Sequence, residues 1–387
     1  MKELSRISQQ IKPSLTRKLF NMAKEYDDVI DFTLGDPDVS TPLPIKEAGC
    51  KAIMEGKTKY SQNAGLLELR EAISRRYADK EQLYYKADGE IIVTVGAMEG
   101  LYLALLAILN DGDEVIIPAP YYVNYKQMVE LCHGTSVIVN STGTDKLRCD
   151  VKAIAEAVTS RTKAIILNTP CNPTGRVIPQ EDILQIAETA KANDLIVITD
   201  EVYKCLTYGS GLQVASIAAL PEMKERTIMV NSLSKEFCMT GWRVGYVLAP
   251  ENIISIMTKF QENIVACAPL PSQYAAIEAF RPGTDYSSEM ASVFRKRRDI
   301  LMEELKRTDK IACNAPEATF YAMIDISRTG LKSEEFAYAL LKAVQVAVVP
   351  GIAYGDMCDD YVRLAFTVNE NKIREGVRSI IKFVENL

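Results

Sequence analysis

The chain reads as an α/β protein with a large, mostly parallel seven-stranded sheet between helices, followed by a smaller α+β unit. Three observations predict this. First, seven short runs rich in Val and Ile recur at 91–95, 114–118, 135–139, 164–169, 195–200, 227–232 and 242–249. Several lack polar alternation, as expected of strands buried on both faces. Second, helical patterns separate most of the runs, most clearly at 99–109 (EGLYLALLAIL) and 179–193. Strands alternating with helices indicate a parallel sheet covered on both sides. Third, the texture changes after about residue 283. A long charged helix at 287–305 is followed by strands at 322–326, 346–349 and 364–368 and a closing helix at 370–387.

At 387 residues the chain is too long for one small core. The expected division is a large domain at 42–283 and a small domain made of 1–41 together with 284–387. Residues 1–41 read as irregular and Pro-containing, crossing the cleft to join the C-terminal part.

Composition removes several function classes. A net charge of −6 argues against nucleic acid as the main ligand. No run approaches membrane-spanning length, so no membrane partner is expected. The start, Met1-Lys2-Glu3-Leu4-Ser5-Arg6, lacks the apolar core of a signal peptide. Nine scattered cysteines without a CxxC pair read as unpaired thiols of a reducing compartment, so a cytoplasmic location is expected. His133 is the only histidine, which nearly excludes a Ser-His-Asp triad or a multi-histidine metal site.

In such sheets ligands bind at the carboxyl ends of strands, and the residues just after each run are therefore the ones to weigh. Gly96-Ala97-Met98 closes the first run and opens a helix, whose N-terminal amides form an anion site. Pro120-Tyr121-Tyr122 follows the second, and an aromatic ring there can stack on a planar ligand. Asn168-Thr169-Pro170-Cys171-Asn172-Pro173-Thr174-Gly175 reads as a tight turn, with the Asn172-Pro173 peptide a candidate for the cis form. Asp200 ends another run and can hold a protonated pyridine nitrogen, although taken alone it also suits a helix cap. Tyr203 stands three residues on.

Ser232-Leu233-Ser234-Lys235 comes next, with Arg243 eight residues after the lysine. Lysine amines form Schiff bases, and pyridoxal phosphate is their common aldehyde partner. Arg243 and the serine hydroxyls then supply a phosphate anchor. Arg363 lies between apolar residues in Tyr361-Val362-Arg363-Leu364-Ala365-Phe366, at the start of a strand. A buried arginine needs an anion, either a structural carboxylate or that of a substrate.

In this order and spacing these residues resemble the class I and II aminotransferases of the fold-type I pyridoxal phosphate superfamily, aspartate and aromatic aminotransferases among them. The resemblance runs from Gly35-Asp36-Pro37 to Arg363 and includes Gly56-Lys57-Thr58-Lys59-Tyr60 and Ala64-Gly65-Leu66-Leu67-Glu68-Leu69-Arg70. Two positions depart from it: Cys238 and Ala318 stand where smaller residues, Gly among them, are usual.

The resemblance implies pyridoxal 5'-phosphate as cofactor, covalently held by Lys235. It implies that Asp200 pairs with the pyridine nitrogen, that Asn172 and Tyr203 contact the phenolate oxygen and that Tyr122 stacks on the ring. Gly96, Ala97, Met98, Ser232, Ser234 and Arg243 would bind the phosphate. Tyr60 would reach the phosphate of a neighbouring subunit, making a homodimer with shared sites. Gly35, Asn172 and Arg363 would meet the substrate carboxylate.

The implied reaction moves an amino group between an L-amino acid and a 2-oxo acid of aspartate, aromatic or alanine type. Lys235 acts as the base once displaced, with Asp200 and Tyr203 as the other catalytic groups. Ser14 and Thr16 match a segment that recognises the side chain in one bacterial aspartate group, whereas Met98 stands where that group usually has lysine. A carbon–sulfur β-lyase of the same fold is the alternative function. A nicotinamide dehydrogenase would need a GxGxxG after the first run, which is absent.

Overall fold

The fold was described from a computed structural model covering residues 4, 5, 8, 11, 15–143, 145–209, 214–284 and 286–387. Ser14 lies outside the described residues, as does the side chain of Thr16. Strand β1 (Ile30–Asp31) is followed by seven strands of one sheet: β2 (Ile91–Thr94), β3 (Glu114–Pro118), β4 (Thr135–Val139), β5 (Thr162–Asn168), β6 (Ile196–Asp200), β7 (Thr227–Ser232) and β8 (Gly245–Leu248). Their order is β2-β8-β7-β6-β5-β3-β4. Only β8 runs antiparallel to its neighbours, β2 and β7.

The unbroken apolar runs have a direct cause. Val115 and Ile117 pack on one side of the sheet with Ile166 and Val230, while Ile116 packs on the other with Ile165 and Val197. Side chains alternate between faces, but both faces are cores, so polarity does not alternate. Strand β4 is the exception. As the edge strand it has one neighbour, and Thr135 is exposed. Strand β8 starts at Gly245 rather than at 242, because Thr240–Trp242 forms a 3₁₀ turn and Arg243 takes a left-handed backbone (φ 51°).

Strands β9 (Ala312–Cys313), β10 (Tyr321–Asp325), β12 (Val349–Pro350) and β13 (Tyr361–Ala365) form a second, antiparallel sheet in the order β12-β13-β10-β9. Strand β11 (Val346–Ala347) pairs in parallel with β1 instead. The run expected as one strand at 346–349 therefore changes partner at Val348. Arg363 proves to be mid-strand, paired with Met323 on one side and Val349 on the other, where the sequence put it at the strand's start.

The irregular reading of 1–41 is also corrected. Leu15–Ala23 is a helix that buries Leu19 and Ala23 in one apolar cluster with Phe32, Phe294, Phe320 and Phe366. Helix Leu67–Glu81 had no clear apolar run, because its stripe is narrow. Only Leu69, Ala72, Ile73 and Tyr77 bury apolar side chains in a segment otherwise rich in charge.

Candidate active site

Five parallel strands end on one edge of the large sheet, and the residues after them converge. β2 leads into the Gly96 turn, β3 toward Tyr122, β5 to Asn172, β6 to Tyr203 and β7 to Lys235. A cavity of about 310 Å³ opens there, bounded on the other side by Gly35, Tyr321 and Arg363.

Lys235 lies in the four-residue helix Leu233–Glu236, whose N-cap Ser232 accepts from the Ser234 amide. Its Nζ donates to the Gly35 carbonyl at 2.5 Å and stands 5.6 Å from the Phe320 ring centroid. Asp200 is the last residue of β6. Its carboxylate accepts from the Tyr125 hydroxyl at 2.7 Å and from the Val202 amide at 3.2 Å. Burial pushes its pKa up from 3.8 to about 6, and these two donors offset only part of that. Among the described residues no cation offsets this, and the charge of Glu201 raises it further.

An anion cradle sits at one end of the cavity. Helix Gly96–Ile108 starts on Gly96 at φ 75°, and a Cβ there would lie 2.4 Å from Nη2 of Arg243. Only glycine lets the turn and the guanidinium approach so closely. The amides of Ala97 and Met98 are in the first helical turn, where no carbonyl one turn back can accept from them. Arg243 is exposed and donates to the Thr240 carbonyl at 2.9 Å and to the Val95 carbonyl at 3.4 Å. The Ser232 hydroxyl is 2.9 Å from that of Ser234.

At the other end, Arg363 is buried. Nη1 donates to Oδ1 of Asn172 at 3.2 Å and Nη2 to the Thr33 carbonyl, while the guanidinium lies 4.4 Å above the Tyr321 ring. None of these partners is an anion, and among the described residues Nε has no hydrogen-bond partner. Asn172 is fixed by its own amide, which donates to Oδ1 of Asn168 at 2.8 Å, and its peptide to Pro173 is cis. A buried cation with no counter-ion among the described residues, open to a cavity, is suited to accept a small carboxylate.

Ala97, Met98, Tyr122, Asn172, Asp200, Tyr203, Ser232, Ser234, Lys235, Arg243, Gly35 and Arg363 thus line one cavity, with Gly96 packed behind Arg243. Tyr60 does not. It is 84% exposed and borders a separate surface groove with Cys267 and Pro271. Sequence reading missed Tyr125, Asn168 and Tyr321. Tyr125 was hidden inside a helix, and Tyr321 looked like one apolar strand residue among many. The place of Asn168 at a strand's carboxyl end was the available signal.

Comparison with known proteins decides the family. Residues 27–380 match the family described as aminotransferase class I and II. The chain belongs to the class I and II aminotransferases. Aspartate aminotransferase of Pyrococcus abyssi is 40% identical over 95% of this chain and 94% of its own. Aromatic-amino-acid aminotransferase 2 of Thermococcus litoralis is 36% identical over 97% of each chain. The solved structure of Thermus thermophilus aspartate aminotransferase with maleate superposes with a TM-score of 0.93 at 33% identity, covering 100% of both chains. The aminotransferase is therefore a pyridoxal phosphate-dependent transaminase of fold type I.

The cavity fits that cofactor on its own terms. Asp200 is a buried carboxylate lacking the cation that would hold it ionised, and a pyridinium nitrogen supplies one. The Gly96 turn, Ser234 and Arg243 offer donors to a phosphate.

Proposed function

We propose that this aminotransferase moves an amino group between an L-amino acid and a 2-oxo acid at the cavity between Lys235, Asp200 and Arg363. The unpaired buried guanidinium of Arg363 carries the substrate side of this reading, since it calls for the carboxylate that amino and oxo acids share. Pyridoxal phosphate, when bound, supplies an aldehyde carbon for the amine and a ring that accepts the electron pair left at the α-carbon. Lys235 is the attachment point and then the base that takes the α-proton. Asp200 keeps the pyridine nitrogen protonated. Tyr203 and Asn172 bond the phenolate oxygen, and Tyr122 covers the ring. Ala97, Met98, Ser232, Ser234 and Arg243 hold the phosphate, and Gly35 lets the substrate carboxylate approach Arg363.

The walls favour an aromatic or other uncharged side chain. Leu34, Met98, Leu101, Tyr122, Val202 and Tyr321 line the cavity beside the reacting groups. Relatives named for aspartate and for aromatic amino acids leave both in the family's range.

The working unit is a homodimer in this reading. Leu43, Ile53, Met54 and Tyr60 expose large apolar surface, with Met54 at 85%. Tyr60 belongs to the partner's site. The boundaries at 42–283 and at 1–41 with 284–387, and a cytoplasmic location suited to nine free thiols, complete the reading.

The test mixes purified enzyme with single amino acids and follows the bound cofactor's absorption band. Loss of the band with one equivalent of 2-oxo acid is expected, fastest for aromatic donors. Lys235→Ala is expected to lower turnover by roughly 10³-fold or more. Ammonia and pyruvate from a sulfur amino acid, or a normal rate without Lys235, would overturn the assignment.

A further inference from the structure

Tyr321 is the residue the reaction described so far does not use, yet it meets Tyr203, Gly35 and Arg363 at once. It opens β10, and Thr319, at φ 62°, turns the chain into it and accepts its amide at 3.0 Å. Its ring meets Tyr203 edge-on at 5.7 Å between centroids and carries the Arg363 guanidinium at 4.4 Å. Its hydroxyl lies 3.1 Å from that of Tyr203. A Cβ on Gly35 would fall 1.7 Å from that hydroxyl, so glycine there is what admits it. The Gly35 carbonyl in turn receives Nζ of Lys235.

We propose that Tyr321 is a positioning residue that couples the carboxylate grip to Tyr203. Its ring seats Arg363, and its hydroxyl orients and strengthens the Tyr203 phenol as a donor. This rests on the reading in which Tyr203 bonds the cofactor's phenolate oxygen and Arg363 the substrate carboxylate.

The direction of the bond follows from counting protons. Burial pushes the Tyr203 pKa well above the ordinary 10, so Tyr203 keeps its one proton. If Tyr203 gives that proton to the cofactor oxygen, it has only a lone pair left for Tyr321, which must donate. A donor onto the Tyr203 oxygen makes the Tyr203 O–H a stronger donor in turn. Tyr122 and Asp200 also face Tyr203, and Arg363 faces Tyr321, so these are the charges against which the effect is read.

The two contacts are separable. Tyr321→Phe keeps the ring under Arg363 and removes the hydroxyl. Tyr321→Leu removes both. In the holoenzyme, Tyr321→Phe is expected to raise the pH midpoint of the bound cofactor's visible band by roughly half a unit, with KM for the amino acid changed less than about twofold. Tyr321→Leu is expected to add a rise in KM of roughly tenfold, from loss of the cation–π seat. In a Tyr203→Phe background, Tyr321→Phe should leave the midpoint where Tyr203→Phe alone puts it.

Three outcomes overturn the inference: an unmoved midpoint in Tyr321→Phe, the same shift surviving without the Tyr203 hydroxyl, or equal KM changes in the Phe and Leu variants. A Tyr203→Phe variant whose midpoint equals the wild type's would instead sink the underlying assignment of Tyr203. Retention of the visible band in every variant shows that the cofactor is still bound.

Discussion

Residues adjacent in sequence do opposite work around this site. Lys235 points into the cavity, while Glu236 is buried behind it against Arg76 and the Ser287 hydroxyl. Asp200 faces the cavity, while Glu201 accepts from the Ser216 hydroxyl at 2.6 Å and from Nζ of Lys204 at 2.9 Å. Tyr203 lines the site, while Lys204 joins Glu81 and Glu201. Each catalytic candidate thus has a charged sequence neighbour that is paired away from the cavity. Asp200 itself lacks such compensation in the cofactor-free protein. Its folded pKa near 6 exceeds the ordinary 3.8, so the folded state holds a proton that the unfolded state releases. Stability is therefore lost as pH rises from about 4 through 6, by about 3 kcal/mol. Asp200→Asn should stabilise the cofactor-free protein by up to that amount at pH 7.5 and by little at pH 4.5. Denaturant titrations at the two pH values measure this, and a pH-independent difference would refute it.

At the scale of elements, the site depends on two close approaches. One is the Gly96 turn against Arg243, and the other is the 33–36 segment against β10 and β13. Gly96→Ala forces a left-handed alanine and drives its methyl into the guanidinium. We expect the pyridoxal phosphate Kd to rise at least roughly tenfold, read by equilibrium dialysis, with folding stability lowered by about 1 kcal/mol. An unchanged Kd would remove Gly96 from the cradle. The sequence made these elements visible to different degrees. β3 and β7 were legible because consecutive apolar residues, Val115 to Ile117 and Ile228 to Val230, face cores on both sides of the sheet. Helix Leu67–Glu81 was not, because four apolar side chains suffice to dock it. Arg363 was legible as a buried cation but not as mid-strand, since pairing with Met323 and Val349 is a tertiary fact.

For the whole molecule, the exposed apolar face is the feature a single chain leaves unexplained. Ile53 and Met54 end the helix Leu43–Met54, with Leu43 at its start and Tyr60 beyond. Met54→Asp should weaken self-association, seen as a shift toward monomer in sedimentation, and should lower cofactor affinity in parallel. Tyr60→Phe should lower cofactor affinity by roughly tenfold without changing the mass. A monomeric wild-type enzyme with full activity would refute both.

The sequence by itself singled out the candidate reacting groups: Asp200 and Tyr203 around the end of β6, Lys235 and Arg243 after β7, and Arg363 between apolar residues, a combination whose chemistry few cofactors use. Only the tertiary structure decided what stands between them. Tyr125 under Asp200 and Tyr321 between Tyr203 and Arg363 come from elements far apart in the chain. Their contacts arise from strand order and from the small sheet facing the large one, and no local pattern encodes either.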